Sequence, residues 1–113
     1  MSILTLHTDR SAPTGAAEVL AKVRERYGFI PNLAAYVAES PLVLDAVLNL
    51  SMAFDKASLT PQEQQIVLLT VATLNGCSYC KTVHTAMGRM AEIDEATLKS
   101  VVGLQPLADH KLD

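Results

Sequence analysis

Aromatic residues are scarce in this chain: no tryptophan, three tyrosines and two phenylalanines in 113 residues. The apolar half of the composition is therefore mostly Leu, Val and Ala, which suits packed helices. No segment alternates apolar and polar residues as a half-buried strand does, and no period repeats, so sheets and solenoids are excluded. No apolar run approaches the ~18 residues of a membrane span. Nine Lys and Arg are scattered along a chain of net charge −3, without the basic stripe that tracks phosphates; nucleic acid is excluded as a partner. Met1-Ser2-Ile3-Leu4-Thr5 lacks the basic region and long apolar core of a secretory signal, so a cytoplasmic location is expected. Cysteine is nearly absent too, with two in all, Cys77 and Cys80. In a cytoplasmic protein such a pair is catalytic or metal-binding rather than a permanent staple.

The length predicts one domain, residues 1–113, able to bury about two-thirds of its unfolded surface. Residues 1–13 read as irregular. A helix is expected from Gly15 to Tyr27, with Val19, Leu20, Val23 and Tyr27 inward and Gly28 as its stop. Ile30-Pro31-Asn32 turns the chain into a short helix over 33–38. Ser40-Pro41 supplies a cap and first position for a helix to Lys56, with Val43, Val47, Leu50 and Phe54 on one face and Leu44 and Leu48 beside it. Thr60-Pro61-Gln62-Glu63 is a capping box opening a helix to Leu74. From Ile66 to Leu74 that helix is apolar nearly all round, as helices buried on most sides are. Asn75-Gly76 ends it. The next helix starts at or beside Cys77 and runs to Met90, with Val83, Ala86, Met87 and Met90 inward. Asp94 caps a last helix carrying Leu98, Val101 and Val102, stopped by Gly103. Residues 104–113 read as a tail. The expected class is all-α, about six helices without a sheet.

The chemistry lies in Cys77-Ser78-Tyr79-Cys80-Lys81-Thr82-Val83-His84, a C-x-x-C-x-x-x-H string. Both thiols fall in the first turn of a helix, where unpaired amides and the positive end of the dipole stabilise a thiolate. Residues at i and i+3 share a face, so the sulfurs can form a reversible disulfide. His84 follows Cys80 by one turn and shares its stripe with Cys77; by spacing it serves Cys80 directly. Other readings stay open. The three residues could be small core residues and a core histidine. They could also be three zinc ligands, with only His7 or His110 left to supply a fourth. Haem attachment needs histidine directly after the second cysteine, where Lys81 stands. A thioredoxin fold needs a strand before the pair, where a capped helix stands.

The stretch from Leu59-Thr60-Pro61 to Leu74-Asn75-Gly76-Cys77-Ser78-Tyr79-Cys80-Lys81-Thr82-Val83-His84 resembles the AhpD-like branch of the carboxymuconolactone decarboxylase family. Ile30-Pro31-Asn32-Leu33 and the Ser40-Pro41 turn are similar too, so the likeness covers roughly residues 18–103. It implies an all-α helical bundle and a homo-oligomer, a trimer or a hexamer built from trimers. It also implies hydroperoxide reduction through the cysteine pair, with no cofactor and no metal. One thiolate cleaves the peroxide O–O bond and becomes a sulfenic acid; the other thiol closes the disulfide; a dithiol donor, such as a lipoyl-bearing protein, reduces it. On this resemblance Cys80 is the nucleophile, Cys77 its partner and His84 the proton relay.

Two departures from the family pattern matter. Twelve residues before the first cysteine the family has glutamate, where this chain has Gln65, which hydrogen-bonds but cannot accept a proton. A weakened or altered peroxidase is therefore expected. Glu63, the nearest carboxylate, lies about 200° round the helix from position 65 and faces away. Members also continue past position 113 with more helix, so a short or trimmed chain is expected, its core completed by a neighbouring subunit. Two other functions remain: a carboxymuconolactone-type decarboxylase, which needs no cysteine pair, and a non-catalytic helical oligomer whose thiols sense redox state or hold metal.

Overall fold

A computed structural model describes residues 3–113; the part of the irregular N-terminal segment at Met1 and Ser2 lies outside the described residues. The described residues form six helices and no strand: α1 (Ala16–Tyr27), α2 (Asn32–Val37), α3 (Pro41–Asp55), α4 (Pro61–Leu74), α5 (Ser78–Met90) and α6 (Glu95–Val102). Each lies within two residues of its expected bounds. The chain divides into a first compact unit ending at Lys56 and a second, Ala57–Asp113.

In the first unit α1, α2 and α3 pack on one another around Ala16, Leu20, Val23, Ala38, Leu44 and Leu48. Ser40 caps α3 by accepting from the Val43 amide. The inward face of α3 differs from the expected one. Leu44 and Leu48 are buried, whereas Val43, Val47 and Leu50 are exposed, Leu50 by 71%. Apolar residues lie on several sides of this helix, so its sequence allows more than one inward stripe, and packing on α1 and α2 selects the one through Leu44 and Leu48. The irregular segment before α1 is tied down: His7 donates its amide to Ala35 O at 3.2 Å, and its Nε2 lies 2.7 Å from a Glu39 carboxylate oxygen.

The second unit is built on α4, which packs against α5 and α6. Thr60 accepts from the Glu63 amide at 3.2 Å and the Glu63 carboxylate accepts from the Thr60 amide at 2.7 Å, completing the capping box. Ile66, Leu69 and Ala72 face inward, while Val67, Val71 and Leu74 stay exposed, so α4 is buried on one side and not on most. Leu69 joins Ile93, Leu98 and Val101 in the core. The tail folds back: Leu107 and Leu112 pack on this core and Lys111 pairs with Glu63 at 2.6 Å.

The inward face of α5 differs from the expected one. Met90 is 83% exposed and Ala86 is also outside; the buried residue of α5 is Gly88. A Cβ on Gly88 would come within 2.7 Å of Leu98 Cδ2, so the missing side chain is what lets Leu98 seat against α5. Gly103 ends α6 as expected, with an ordinary right-handed φ of −84°, and the residue after it, Leu104, is left-handed with φ 52°.

Candidate active site at the start of α5

The site is laid out by the turn joining α4 to α5. At the end of α4, Gly76 donates its amide to Thr73 O and Cys77 donates to Ala72 O, both at 3.0 Å. This is a Schellman ending, which needs a left-handed residue between its two donors. Gly76 fills that place, with φ 63° and nothing near its missing Cβ. Cys77 is thus the residue that closes α4.

It also opens α5. Cys77 is the N-cap of α5, in extended backbone, and its Sγ accepts from the Cys80 amide at 3.2 Å. A sulfur atom occupies the place where serine or aspartate oxygen ordinarily caps a helix. Cys77 and Cys80 are joined by a disulfide, with Cα atoms 5.3 Å apart. Their i, i+3 spacing in the first turn brings the two sulfurs together, as the sequence predicts. The start of the helix falls one residue after Cys77, within the expected range.

His84 lies one turn beyond Cys80 on α5. Its Nδ1 meets Gln65 Oε1 of α4 at 3.1 Å, a contact between residues 19 apart in sequence. An amide oxygen only accepts, so Nδ1 carries the proton in this arrangement and Nε2 keeps its lone pair. Burial pushes the His84 pKa below the ordinary imidazole value, because desolvation disfavours the cation. A neutral imidazole with one ring nitrogen unprotonated can act as a base.

The structure therefore brings all four expected site residues onto one helix pair: Cys77, Cys80 and His84 on α5 and its cap, Gln65 on α4. Glu63 does not join them; its carboxylate is held by the Thr60 amide and Lys111. His7 is engaged with Glu39 and the Ser11 carbonyl in the first unit, and His110 is exposed in the tail. Among the described residues no group of three His, Cys, Asp or Glu side chains is placed to hold a metal ion. Nor is any helix long and apolar enough to cross a membrane. The double use of Cys77, as the last donor of one helix and the cap of the next, went unread in the sequence. The signal was there in Asn75-Gly76-Cys77, where a left-handed glycine directly precedes a residue with a capping side chain.

Among known families, the model described as the carboxymuconolactone decarboxylase family matches residues 41–105, more than half of the chain. The matched span runs from the start of α3 to beyond α6 and contains all four site residues. Among curated proteins no relative matches the chain.

Proposed function

The chain belongs to the carboxymuconolactone decarboxylase family, and from that premise we propose that it is a thiol peroxidase of the AhpD-like kind, reducing hydroperoxides through a reversible Cys77–Cys80 disulfide. The observation that carries this reading is the disulfide itself, set at the cap of α5 one turn from a neutral histidine. A decarboxylase has no use for such a pair, and that favours the peroxidase over the other chemistry of the family.

The steps follow from the residues. His84 takes the proton of Cys80, and the thiolate attacks the peroxide O–O bond. Cys80 becomes a sulfenic acid, and the leaving alkoxide receives the proton from the His84 imidazolium. Cys77 then attacks the sulfenic sulfur, expelling water and closing the disulfide. A dithiol donor, a lipoyl-bearing protein by likeness to the AhpD-like branch, returns two electrons and two protons. The cysteine pair carries the electrons, so no cofactor or metal takes part. Gln65 orients His84 through Nδ1 but cannot relay a proton, so turnover is slower than with a carboxylate there.

The same likeness supports a homo-oligomer, trimer or hexamer. The exposed apolar residues of α4, Val67, Val71 and Leu74, and of α3, Leu42, Val43 and Leu50, are the faces a second copy would cover.

The test is peroxide consumption with a dithiol, and trapping of the sulfenic acid with a dimedone-type reagent. Cys80→Ser abolishes reaction with peroxide. Cys77→Ser leaves a Cys80 that reacts once and labels. Labelling of Cys77 in the Cys80 variant, with Cys80 silent in the other, reverses the roles. Peroxide-dependent loss of two thiols without turnover points to the redox sensor.

A further inference from the structure

The two sulfurs of the disulfide are held differently. Cys77 Sγ sits at the cap of α5 and accepts the Cys80 amide at 3.2 Å. No amide is set against Cys80 Sγ among the described residues. When the S–S bond breaks, one sulfur receives the electron pair and leaves as a thiolate. The sulfur that already accepts a backbone N–H at the positive end of a helix is the better leaving group, because the charge it gains is met by a donor in place.

We infer that the reducing thiolate attacks Cys80 and expels Cys77. This rests on the peroxidase reading for its biological setting, and on the cap geometry alone for its direction. The donor sulfur bonds to Cys80 Sγ, the Cys77–Cys80 bond breaks, and its electron pair passes to Cys77 Sγ. The result is a mixed disulfide on Cys80 and a capped thiolate at Cys77. The donor's second thiolate then attacks the donor sulfur of that mixed disulfide. The donor closes its own disulfide, the electron pair passes to Cys80 Sγ, and Cys80 takes, by way of His84, the proton that the donor's second thiol gave up on becoming a thiolate. Overall, two electrons pass from the dithiol to the protein with two protons, one on Cys80 and one that Cys77 takes up when its thiolate is protonated.

This gives the two cysteines a division of labour that holds in both directions. Cys80 is the sulfur at which every outside molecule reacts, peroxide in one half of the cycle and donor thiol in the other. Cys77 never meets a substrate. Its stabilised thiolate is the internal nucleophile that resolves the sulfenic acid and the internal leaving group that departs on reduction. The cap suits both tasks, because each has the negative charge on Cys77 Sγ at one end of the step.

The experiment needs no peroxide, so it stands or falls apart from peroxidase activity. The oxidised full chain is mixed with excess 2-mercaptoethanol, quenched in acid within milliseconds, and the freed thiol is alkylated with a maleimide. Fragmentation of the peptide carrying both cysteines locates the two groups. The expected result is mercaptoethanol on Cys80 and maleimide on Cys77, in an excess of about tenfold over the reverse. Equal distribution, or mercaptoethanol mainly on Cys77, overturns the inference. If the adduct is too short-lived to quench, the pH dependence of iodoacetamide alkylation decides. Cys77 in Cys80→Ser should stay reactive to lower pH than Cys80 in Cys77→Ser, and the opposite order overturns it. Both variants keep the fold testable, since serine at position 77 can accept the same amide.

Discussion

Replacing Gln65 with glutamate puts a charge where the structure now has a neutral acceptor. Gln65 Oε1 lies 3.1 Å from His84 Nδ1, and a carboxylate oxygen in that place would meet the same N–H. It would stabilise the imidazolium formed when His84 takes the Cys80 proton, and so favour the thiolate–imidazolium pair over thiol and imidazole. A hydrogen bond to a charged group contributes about 1.5–3 kcal/mol. With each 1.4 kcal/mol worth about tenfold, thiolate at neutral pH should rise by about 10- to 10²-fold. The rate of peroxide-dependent disulfide formation should rise with it in Gln65→Glu. The opposing term is desolvation of the new carboxylate on half-buried α4, which costs the fold up to a few kcal/mol. Stopped-flow oxidation should therefore be run beside a melting curve. A variant that melts within a few degrees of the parent, yet oxidises no faster at pH 7, refutes the reasoning. Position 65 would then orient the ring without setting its basicity.

The pH dependence of the parent follows from His84. Its folded pKa lies below the ordinary imidazole value of 6.5, so it remains a neutral base further into acid than a free histidine does. Peroxide-dependent oxidation should hold through pH 6.5 and fall only at lower pH; loss of activity above pH 7 on acidification would contradict this. The same shift has a stability sign. The unfolded chain binds the proton first, so the stability from burying neutral His84 is present above pH 6.5 and is lost as pH falls through its folded pKa; a His84→Gln variant should flatten that part of the melting-temperature profile. Gly76→Ala forces a left-handed alanine and should cost about 1–2 kcal/mol, whereas Leu104→Gly removes such a cost and should be neutral or stabilising; thermal melts of the two should move apart. Light scattering at micromolar concentration should find an oligomer, and a stable monomer would remove the second-copy reading of the exposed α3 and α4 faces.

What the sequence discloses here is mainly where helices begin and end. Ser40, Thr60 with Glu63, and Asp94 each cap as their side chains predict, because a cap is a contact between residues three apart. The motif Cys77 to His84 is legible for the same reason. Which face turns inward is harder to read. On α3 the choice between Val43 with Val47 and Leu44 with Leu48 depends on the neighbouring helices. Gly88 has no side chain to announce its burial; only the fit of Leu98 against it does. The Gln65–His84 contact is of a third kind. Nothing local at either residue points to the other, and it exists because the turn at Gly76 lays α5 along α4. Only the family pattern singled out position 65 in advance.

The span of that contact has a consequence for how the site comes into being. No two of the four site residues are more than 19 positions apart. Their assembly requires one helical hairpin, closed by a turn whose geometry is fixed by a glycine. Chains dominated by such local contacts fold in microseconds to milliseconds, since little loop-closure entropy is lost before the contacts form. The four-residue site is in this sense an early structure. Its parts can meet as soon as α4 and α5 pair, without waiting for distant stretches of the chain to find them.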